Sequence, residues 1–245
     1  MGRRYRVLLT RPEAESEALA TELAARGIDG VVAPVLEIQP TGSSLDPPAD
    51  TQALILTSGN ALDALTGYGI DRTLPVFTVG DDTASRAQGY GFTRVDSAAG
   101  TAEHLIDRVA DRLSPADGPV LWASGEDIRV DLRVRLATYG FRVVRRVVYR
   151  ASPVTALPQA AVDGLHATNI DGVLFFSPRT AECFISLIEK AGLMDRTQRL
   201  IAHCLSPAVA DAAGAVTWLD IRTARRPNRQ DLLATLDGLA PSTAD

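Results

Sequence analysis

The sequence predicts an α/β protein with two doubly wound parallel sheets, and three observations favour this fold class. Short apolar runs alternate with amphipathic helical patterns along the chain, which is the order expected of parallel strands covered by helices. Residues 7–36 and 120–149 share one pattern of apolar run, polar turn, helix, glycine and second apolar run. A second repeated pair follows, ALILTSGNALDAL from Ala53 and GVLFFSPRTAECF from Gly172. Such a duplication predicts two similar lobes that face each other across a cleft.

The individual elements follow from local pattern. Residues 6–10 predict a buried strand, and residues 12–26 an amphipathic helix that Gly27 ends. Residues 31–38 predict the next strand, and residues 39–50, which are rich in Pro, Gly and Ser, predict a linker. The following segments predict strands at 53–57, 76–79 and 93–96 and helices at 60–66, 82–89, 102–113 and, near the C-terminus, 228–236.

Connector lengths indicate how these elements divide into domains. Residues 114–119 form a short connector, so the modules on either side of it are expected to pack together. Residues 39–50 and 150–171 are longer and contain prolines. We therefore predict a continuous domain of about residues 51–148 and a discontinuous domain that joins the first forty or so residues to the C-terminal third.

Bulk properties exclude several classes of protein. With 245 residues, of which 46% are hydrophobic, the chain is long enough for two domains that each bury a core. The net charge of -5, without a basic run, gives no footprint for nucleic acid. No segment approaches the roughly 20 apolar residues of a membrane span, and Arg11, Pro12 and Glu13 interrupt the first apolar run before it resembles a secretion signal. We expect a cytoplasmic monomer.

The sequence lacks the motifs of several common kinds of catalytic site. Two cysteines and three histidines lack the spacing of a metal site, so no metal is expected. There is no phosphate-binding glycine motif and no GxSxG nucleophile motif, and Lys190, the only lysine, lies on a predicted helix. What remains is catalysis by positioning and charge stabilisation, with few side chains that transfer protons.

Polar turns between strands and helices are the candidate ligand sites. In parallel sheets, helices that follow strands begin at the C-terminal edge, where free N–H groups and the helix dipole favour anions. Any one Ser or Thr there is more often a helix cap alone. Six turns at matching positions in two lobes nevertheless predict a binding site for a polyanionic small molecule; they comprise residues 10–12, 57–60, 80–83, 124–126, 177–179 and 206–207.

With these motifs in place, the chain resembles uroporphyrinogen-III synthase. The resemblance extends over essentially the whole chain and depends on the order of LLTRP, LTSGNAL, VGDDTA, TAEHL, SGEDIRVDLRVRL, VVYR and FFSPRTA. It implies two flavodoxin-like domains joined by a two-stranded β ladder near residues 36–39 and 147–150. With the ladder at this place, the discontinuous domain comprises residues 1–38 plus 152–245 and the continuous domain residues 39–151. It also implies a cofactor-free enzyme that cyclises hydroxymethylbilane, with loss of water and inversion of the last pyrrole ring.

The resemblance assigns roles residue by residue. Tyr149 matches the family's tyrosine at the domain junction and is the candidate proton donor to the departing hydroxyl, with a structural role for its ring as the alternative. Carboxylate-binding residues are implied at the turns, with Arg129 and Arg179 as weaker candidates; the set is Arg11, Thr57, Ser58, Asn60, Gly80, Thr83, Ser124, Gly125, Ser177 and Ser206. In the last turn the family often has Thr where this chain has Val209, so any role of that hydroxyl is lost, and Ser206 is a partial replacement.

Two alternatives remain open at this point. The first is a two-lobed protein that binds or senses a small molecule without catalysis. As a transcriptional regulator it would carry a basic DNA-binding module, whereas only a short polar tail follows Leu239. The second is an α/β enzyme that acts on phosphorylated sugars, which the missing phosphate loop disfavours without excluding.

Overall fold

Parallel sheets and flanking helices make up residues 3–239, which the computed structural model describes. The polar tail predicted after Leu239 lies outside the described residues. In chain order, the strands are β1 Arg6–Leu9, β2 Asp29–Val32, β3 Leu36–Pro40, β4 Ala53–Leu56, β5 Val76–Thr78, β6 Val95–Ser97, β7 Val120–Gly125, β8 Val143–Pro153, β9 Gly172–Phe175, β10 Ile201–Cys204 and β11 Asp220–Thr223. The α-helices are α1 Glu13–Ala25, α2 Asn60–Ala64, α3 Asp81–Gly89, α4 Ala102–Arg112, α5 Leu132–Ala137, α6 Gln159–His166, α7 Pro178–Lys190, α8 Pro207–Ala213 and α9 Arg229–Ala234.

The chain divides into two compact units. The first unit contains the residues up to Glu37 together with those from Ser152 onward, and the second unit contains Ile38–Ala151. The sheet of the first unit has the strand order β11-β10-β9-β1-β2, with every neighbouring pair parallel. The strands of the second sheet have the order β3-β8-β7-β4-β5-β6, and all pairs from β8 to β6 are parallel. The predicted α/β class with parallel sheets is therefore confirmed.

The repeated halves of the sequence occupy equivalent strands. β1 pairs with β2 on one side and with β9 on the other. In the same way, β7 pairs with β8 and with β4. Beyond these strands, β10 and β11 follow in one sheet as β5 and β6 follow in the other. Each half of the duplication therefore contributes the same local arrangement.

The core of the second unit lies on both faces of its sheet. Leu54 and Leu56 face one side of β4 with residues of α2 and α3, whereas Ala53 and Ile55 face the other with residues of α4 and α5. All four strand residues are fully buried, because successive side chains point to opposite faces and helices cover both. In the first unit, α1 and α9 pack their leucines on Val7 and Leu9 of β1.

Residues that favour helix starts and ends lie at those positions in the structure. Gly27, which has φ 74°, follows the end of α1 in the left-handed region that glycine adopts without strain. Thr101 caps α4 by accepting a hydrogen bond from the His104 N–H. Ser177 and Thr180 form a capping box at the start of α7, with Pro178 as the first helical residue. The helix predicted near residues 228–236 is confirmed as α9, with Leu232, Leu233 and Leu236 buried.

Two sequence predictions are wrong in their element boundaries. The single strand predicted at residues 31–38 is two strands, β2 and β3, which belong to different sheets. Pro34 lies between them, and its ring removes the N–H that a continuous strand would use. The connector predicted at residues 150–171 contains the end of β8 and the helix α6, which begins after Pro158 and buries Ala161 and Leu165. α6 is too short to give a clear helical period among its neighbouring prolines.

Candidate functional site

A cavity of about 520 Å³ lies at the C-terminal edge of the sheet in the second unit. Residues that follow or end three strands line it, namely Thr57 and Ser58 after β4, Val79 after β5 and Gly125 at the end of β7. Tyr149, which lies within the neighbouring strand β8, lines it as well. Ligands of parallel α/β sheets usually bind at this edge. The volume falls within the roughly 300–1,000 Å³ typical of small-molecule sites.

One wall of the cavity is apolar. Trp122, Ile128, Val130 and Leu132 line it together with Ala102 at the start of α4. Trp122 is almost fully buried, and its indole Nε1 has no hydrogen-bond partner among the residues the structure describes. The partly exposed side chains of Ile128 and Val130 form a surface suited to the face of a ring, whereas the Trp122 ring, 1% exposed, offers almost none of its own surface.

The polar part of the cavity lining includes two helix starts. Ser58 Oγ accepts a hydrogen bond from the Asn60 N–H at 3.3 Å, at the beginning of α2. Thr101 Oγ1 accepts from the His104 N–H at 3.4 Å, and the Gly100–Thr101 segment lines the cavity at the N-terminus of α4. The positive end of the α4 dipole lies at this segment, where the Glu103 carboxylate of the first turn already accepts a hydrogen bond from a backbone N–H.

Charged side chains complete the lining of the cavity. Glu103, Asp127 and Arg129 all contribute to it. Hydrogen bonds from backbone N–H and from the Thr101 hydroxyl hold the pKa of Glu103 below its ordinary value, because hydrogen bonding to a carboxylate favours its charged form. The cavity therefore offers one guanidinium and two carboxylates next to its apolar wall.

Tyr149 enters the cavity because β8 is irregular. Ser124 pairs with Val147, but the next residue of β7, Gly125, pairs with Tyr149, so that the register shifts by one residue. Val148 and Tyr149 consequently pack against the same core cluster, although consecutive residues of a regular strand point to opposite faces. A β-bulge of this kind redirects a side chain next to a site.

Four of the predicted site residues, Thr57, Ser58, Gly125 and Tyr149, line this cavity together, as does the weaker candidate Arg129. Other predicted residues of the second unit lie outside the lining, namely Asn60, Gly80, Thr83 and Ser124. Ser124 is buried, and its hydroxyl accepts a hydrogen bond from Arg145 Nε at 2.8 Å and donates to the Gly125 carbonyl at 2.9 Å. Gly80 precedes α3 with open space around its Cα.

The predicted residues of the first unit lie at three helix starts. Arg11 forms an ion pair with Glu15 at 2.8 Å, and its guanidinium carbon lies 4.7 Å from the centroid of the Phe176 ring. Ser177 Oγ accepts from the Thr180 N–H at 3.2 Å. Ser206 precedes α8 without a side-chain capping bond. Val209 in α8 is almost fully buried and packs as a core residue.

Sequence analysis did not identify Trp122 or Thr101 as site residues. Trp122 belongs to an apolar run that predicts a strand, and nothing in that run distinguishes a core tryptophan from one that also lines a cavity. Thr101 could have been found, because it follows a predicted strand and begins the TAEHL helix in the same way as the six turns that were selected.

The described part of the chain offers no cluster of metal ligands. Between residues 3 and 239, no group of three or more His, Cys, Asp or Glu side chains is arranged to hold a metal ion. Within the same range, no helix combines the length and the apolar composition that crossing a membrane requires.

Comparisons with known proteins give a family and a fold. The sequence matches the family described as uroporphyrinogen-III synthase HemD over residues 17–234, whereas a comparison with curated proteins finds no match. The structure is similar to uroporphyrinogen-III synthetase from Helicobacter pylori, with a TM-score of 0.62 and 16% identity over 94% of this chain and 97% of that chain. It also matches a mutant uroporphyrinogen III synthase from Thermus thermophilus, with a TM-score of 0.47 and 17% identity over 96% and 98% of the two chains.

Proposed function

The chain belongs to the uroporphyrinogen-III synthase family, and we propose that the cavity of its second unit is part of the active site. The observation that carries this proposal is the convergence of Thr57, Ser58, Gly125 and Tyr149 on one cavity. These residues come from three separate segments of the sequence, and each matches a motif of the family.

The family match confirms the predicted function, an enzyme that cyclises hydroxymethylbilane to uroporphyrinogen III. It does not favour the alternative of a two-lobed binding protein without catalytic activity. The similarity to the Helicobacter structure, at 16% identity, adds a shared fold.

Within this reaction, Tyr149 is proposed as the proton donor. The bond between the terminal methylene carbon and its hydroxyl breaks as the adjacent pyrrole nitrogen supplies electron density, and the phenol proton converts the leaving hydroxyl into water. The substituted carbon of the last pyrrole then attacks the azafulvene, and rearrangement inverts that ring. The proton that the unsubstituted carbon of this pyrrole loses on ring closure balances the proton donated by the phenol. The position of Tyr149 in the cavity lining supports this role.

The apolar and the polar residues of the cavity lining suit different parts of such a substrate. The faces of pyrrole rings match the apolar side chains of Ile128 and Val130. Carboxylate side chains match the guanidinium of Arg129 and the hydroxyls of Thr57 and Ser58. The carboxylates of Glu103 and Asp127 are placed to stabilise positive charge on the azafulvene in its protonated form.

The remaining predicted residues are proposed as carboxylate ligands from their positions in turns between strands and helices alone. Arg11, Ser177 and Ser206 lie at helix starts after strands of the first unit, where N–H donors favour anions. Asn60, Gly80, Thr83 and Ser124 belong to the corresponding turns of the second unit. For Ser124, the hydrogen bond from Arg145 favours a structural role.

We also propose that the two units are flavodoxin-like domains joined near residues 36–39 and 147–150. The strand order β2-β1-β9-β10-β11 of the first sheet supports this proposal, because flavodoxin-like sheets have the order 2-1-3-4-5. We further propose a cytoplasmic monomer that needs no cofactor and binds no nucleic acid, in keeping with a net charge of -5.

An isomer assay tests the function directly. Purified protein is coupled to a deaminase that produces hydroxymethylbilane, without added metal or nucleotide, and the products are separated by isomer. We expect the type III isomer. Formation of the symmetric type I isomer alone, which arises spontaneously from the bilane, would contradict the proposed function.

A further inference from the structure

The Arg145 side chain holds the turn that ends β7. Its Nε donates to Ser124 Oγ at 2.8 Å, and its Nη2 donates to the carbonyls of Gly125 at 2.8 Å and Glu126 at 2.7 Å. The guanidinium carbon also lies 5.3 Å from the centroid of the Trp122 ring, within the range of a cation–π contact. One half-buried side chain thus contacts three consecutive residues of the turn and one residue of the cavity wall.

The strand register explains how Arg145 reaches these atoms. Arg145 lies directly opposite Trp122 in the parallel pairing of β7 and β8. The paired residues share a face of the sheet, and Ser124, two residues beyond Trp122, shares it as well. The long Arg145 side chain extends along this face toward the C-terminal edge, where the turn begins.

The turn needs such a partner because the bulge interrupts the ladder there. Val148 has no partner in the register, and pairing resumes with Gly125 opposite Tyr149. Glu126 N–H still donates to the Tyr149 carbonyl at 2.9 Å. The carbonyls of Gly125 and Glu126 instead accept from the Arg145 guanidinium, which satisfies backbone groups at the end of the strand.

We propose that Arg145 is a positioning residue that fixes Tyr149 in the cavity by holding the turn Ser124–Glu126. This inference rests on the proposed function of the cavity. Arg145 is not among the residues that line the cavity, so it acts through the turn against which the Tyr149 ring packs. An arginine is required because its planar fork offers several donors in fixed directions, whereas a lysine ammonium offers a single compact charge.

The substitution Arg145→Lys tests the proposal while it preserves the charge. We expect the turnover number to fall on the order of 10- to 100-fold, since small displacements of a reacting group have effects of this size, with little change in KM. Arg146→Lys is the matched control. Arg146 Nε donates to the Leu45 carbonyl at 3.1 Å and contacts no residue of the turn in the described hydrogen bonds, so the control should retain wild-type turnover. Equal turnover numbers for the two variants would overturn the proposal.

A double-mutant cycle separates positioning of Tyr149 from a general structural role. If Arg145 acts through the phenol, Arg145→Lys should change turnover by less than about threefold in a Tyr149→Phe background. Full multiplication of the two single effects would contradict the proposal. Ser124→Ala provides a second variant if Arg145→Lys does not fold: it removes one acceptor of the guanidinium, and its loss of turnover should also vanish with Tyr149→Phe.

The failure of this inference can be distinguished from the failure of the proposed function. A wild-type protein that forms no type III isomer would contradict the function itself. A wild-type enzyme that forms type III, together with an Arg145→Lys variant that matches Arg146→Lys, would contradict the role of Arg145 alone.

Discussion

The Tyr149 ring packs directly against the backbone of Gly125. A Cβ atom built on Gly125 would lie 2.7 Å from Tyr149 Cζ and 2.9 Å from its hydroxyl oxygen. These two residues are paired across β7 and β8 only because the bulge shifts the register. The absence of a side chain at residue 125 therefore allows the phenol to occupy its place in the cavity lining.

Gly125→Ala is expected to displace the Tyr149 ring. A Cβ closer than van der Waals contact forces the ring to move, and the turnover number should fall by about tenfold or more. Gly89→Ala is the control, because a Cβ there meets no atom within 4 Å. Steady-state kinetics of both variants measure the effect, and wild-type turnover in Gly125→Ala would show that the ring is not confined by this contact.

Tyr149→Phe should lower the turnover number more than it raises KM. General acid catalysis contributes on the order of 10²- to 10⁴-fold, and the substitution removes the proton while it keeps the ring. Tyr139→Phe, at a tyrosine that is 50% exposed, serves as the comparison. An unchanged turnover number in Tyr149→Phe would leave this residue with its structural role in packing against the core.

The serines that precede α7 and α8 should differ in their effect on stability. Ser177→Ala removes the capping bond to the Thr180 N–H and should lower the free energy of unfolding by about 1 kcal/mol. Ser206 makes no capping bond through its side chain, so Ser206→Ala should change the same free energy by less than about 0.5 kcal/mol. Urea unfolding measures both, and equal losses of stability would be inconsistent with this difference.

Ser206→Ala should nevertheless affect substrate binding. We propose the Ser206 hydroxyl as a carboxylate ligand, and its loss should raise KM without a loss of folded protein. A KM equal to that of the wild type, measured on protein of normal stability, would remove Ser206 from the proposed ligands.

Acidification should destabilise the fold through His203. His203 is fully buried, its Nε2 lies 3.0 Å from the Tyr5 hydroxyl, and its Nδ1 lies 2.8 Å from Thr235 Oγ1. Burial, assisted by the nearby charge of Arg222 and opposed by Asp220, lowers its pKa to about 3. Between about pH 6.5 and pH 3 the unfolded chain therefore binds a proton that the folded chain does not.

The free energy of unfolding should fall over this window by up to about 1.4 kcal/mol per pH unit from this histidine. The variant His203→Gln cannot titrate and should show a shallower dependence on pH. His166→Gln, at the exposed end of α6, should keep the slope of the wild type. Chemical unfolding at several pH values measures the slopes, and equal slopes for all three proteins would exclude this role of His203.

The order of strands and helices could largely be predicted from the sequence. The continuous apolar run of four residues at Ala53 is typical of a buried strand, and the leucines of α9 have the spacing of a helix with one buried face. The division into β2 and β3 could not be found in this way, since residues on both sides of Pro34 are apolar. Which sheet a strand joins depends on partners that are distant in sequence.

The residues of the candidate site that lie in turns could be predicted from the sequence, whereas those within strands could not. Thr57, Ser58 and Gly125 belong to turns between a strand and a helix, and the topology of a parallel sheet brings such turns to one edge. Trp122 and Arg145 lie within strands, where the pattern of the sequence indicates only burial or exposure. Their contacts depend on the pairing of β7 with β8, which joins residues about 20 positions apart.

The sequence by itself determined the duplicated α/β architecture and the family, because periodicity, turn residues and motif order are local properties of the chain; the role of Tyr149 as proton donor stays a prediction. Only the tertiary structure decided that Tyr149 lies opposite Gly125 and that Arg145 is hydrogen-bonded to the turn Ser124–Glu126. A shift of one residue in register moves a side chain to the other face of a sheet. Packing and hydrogen bonds between distant segments select the register, and no local pattern in β8 specifies it.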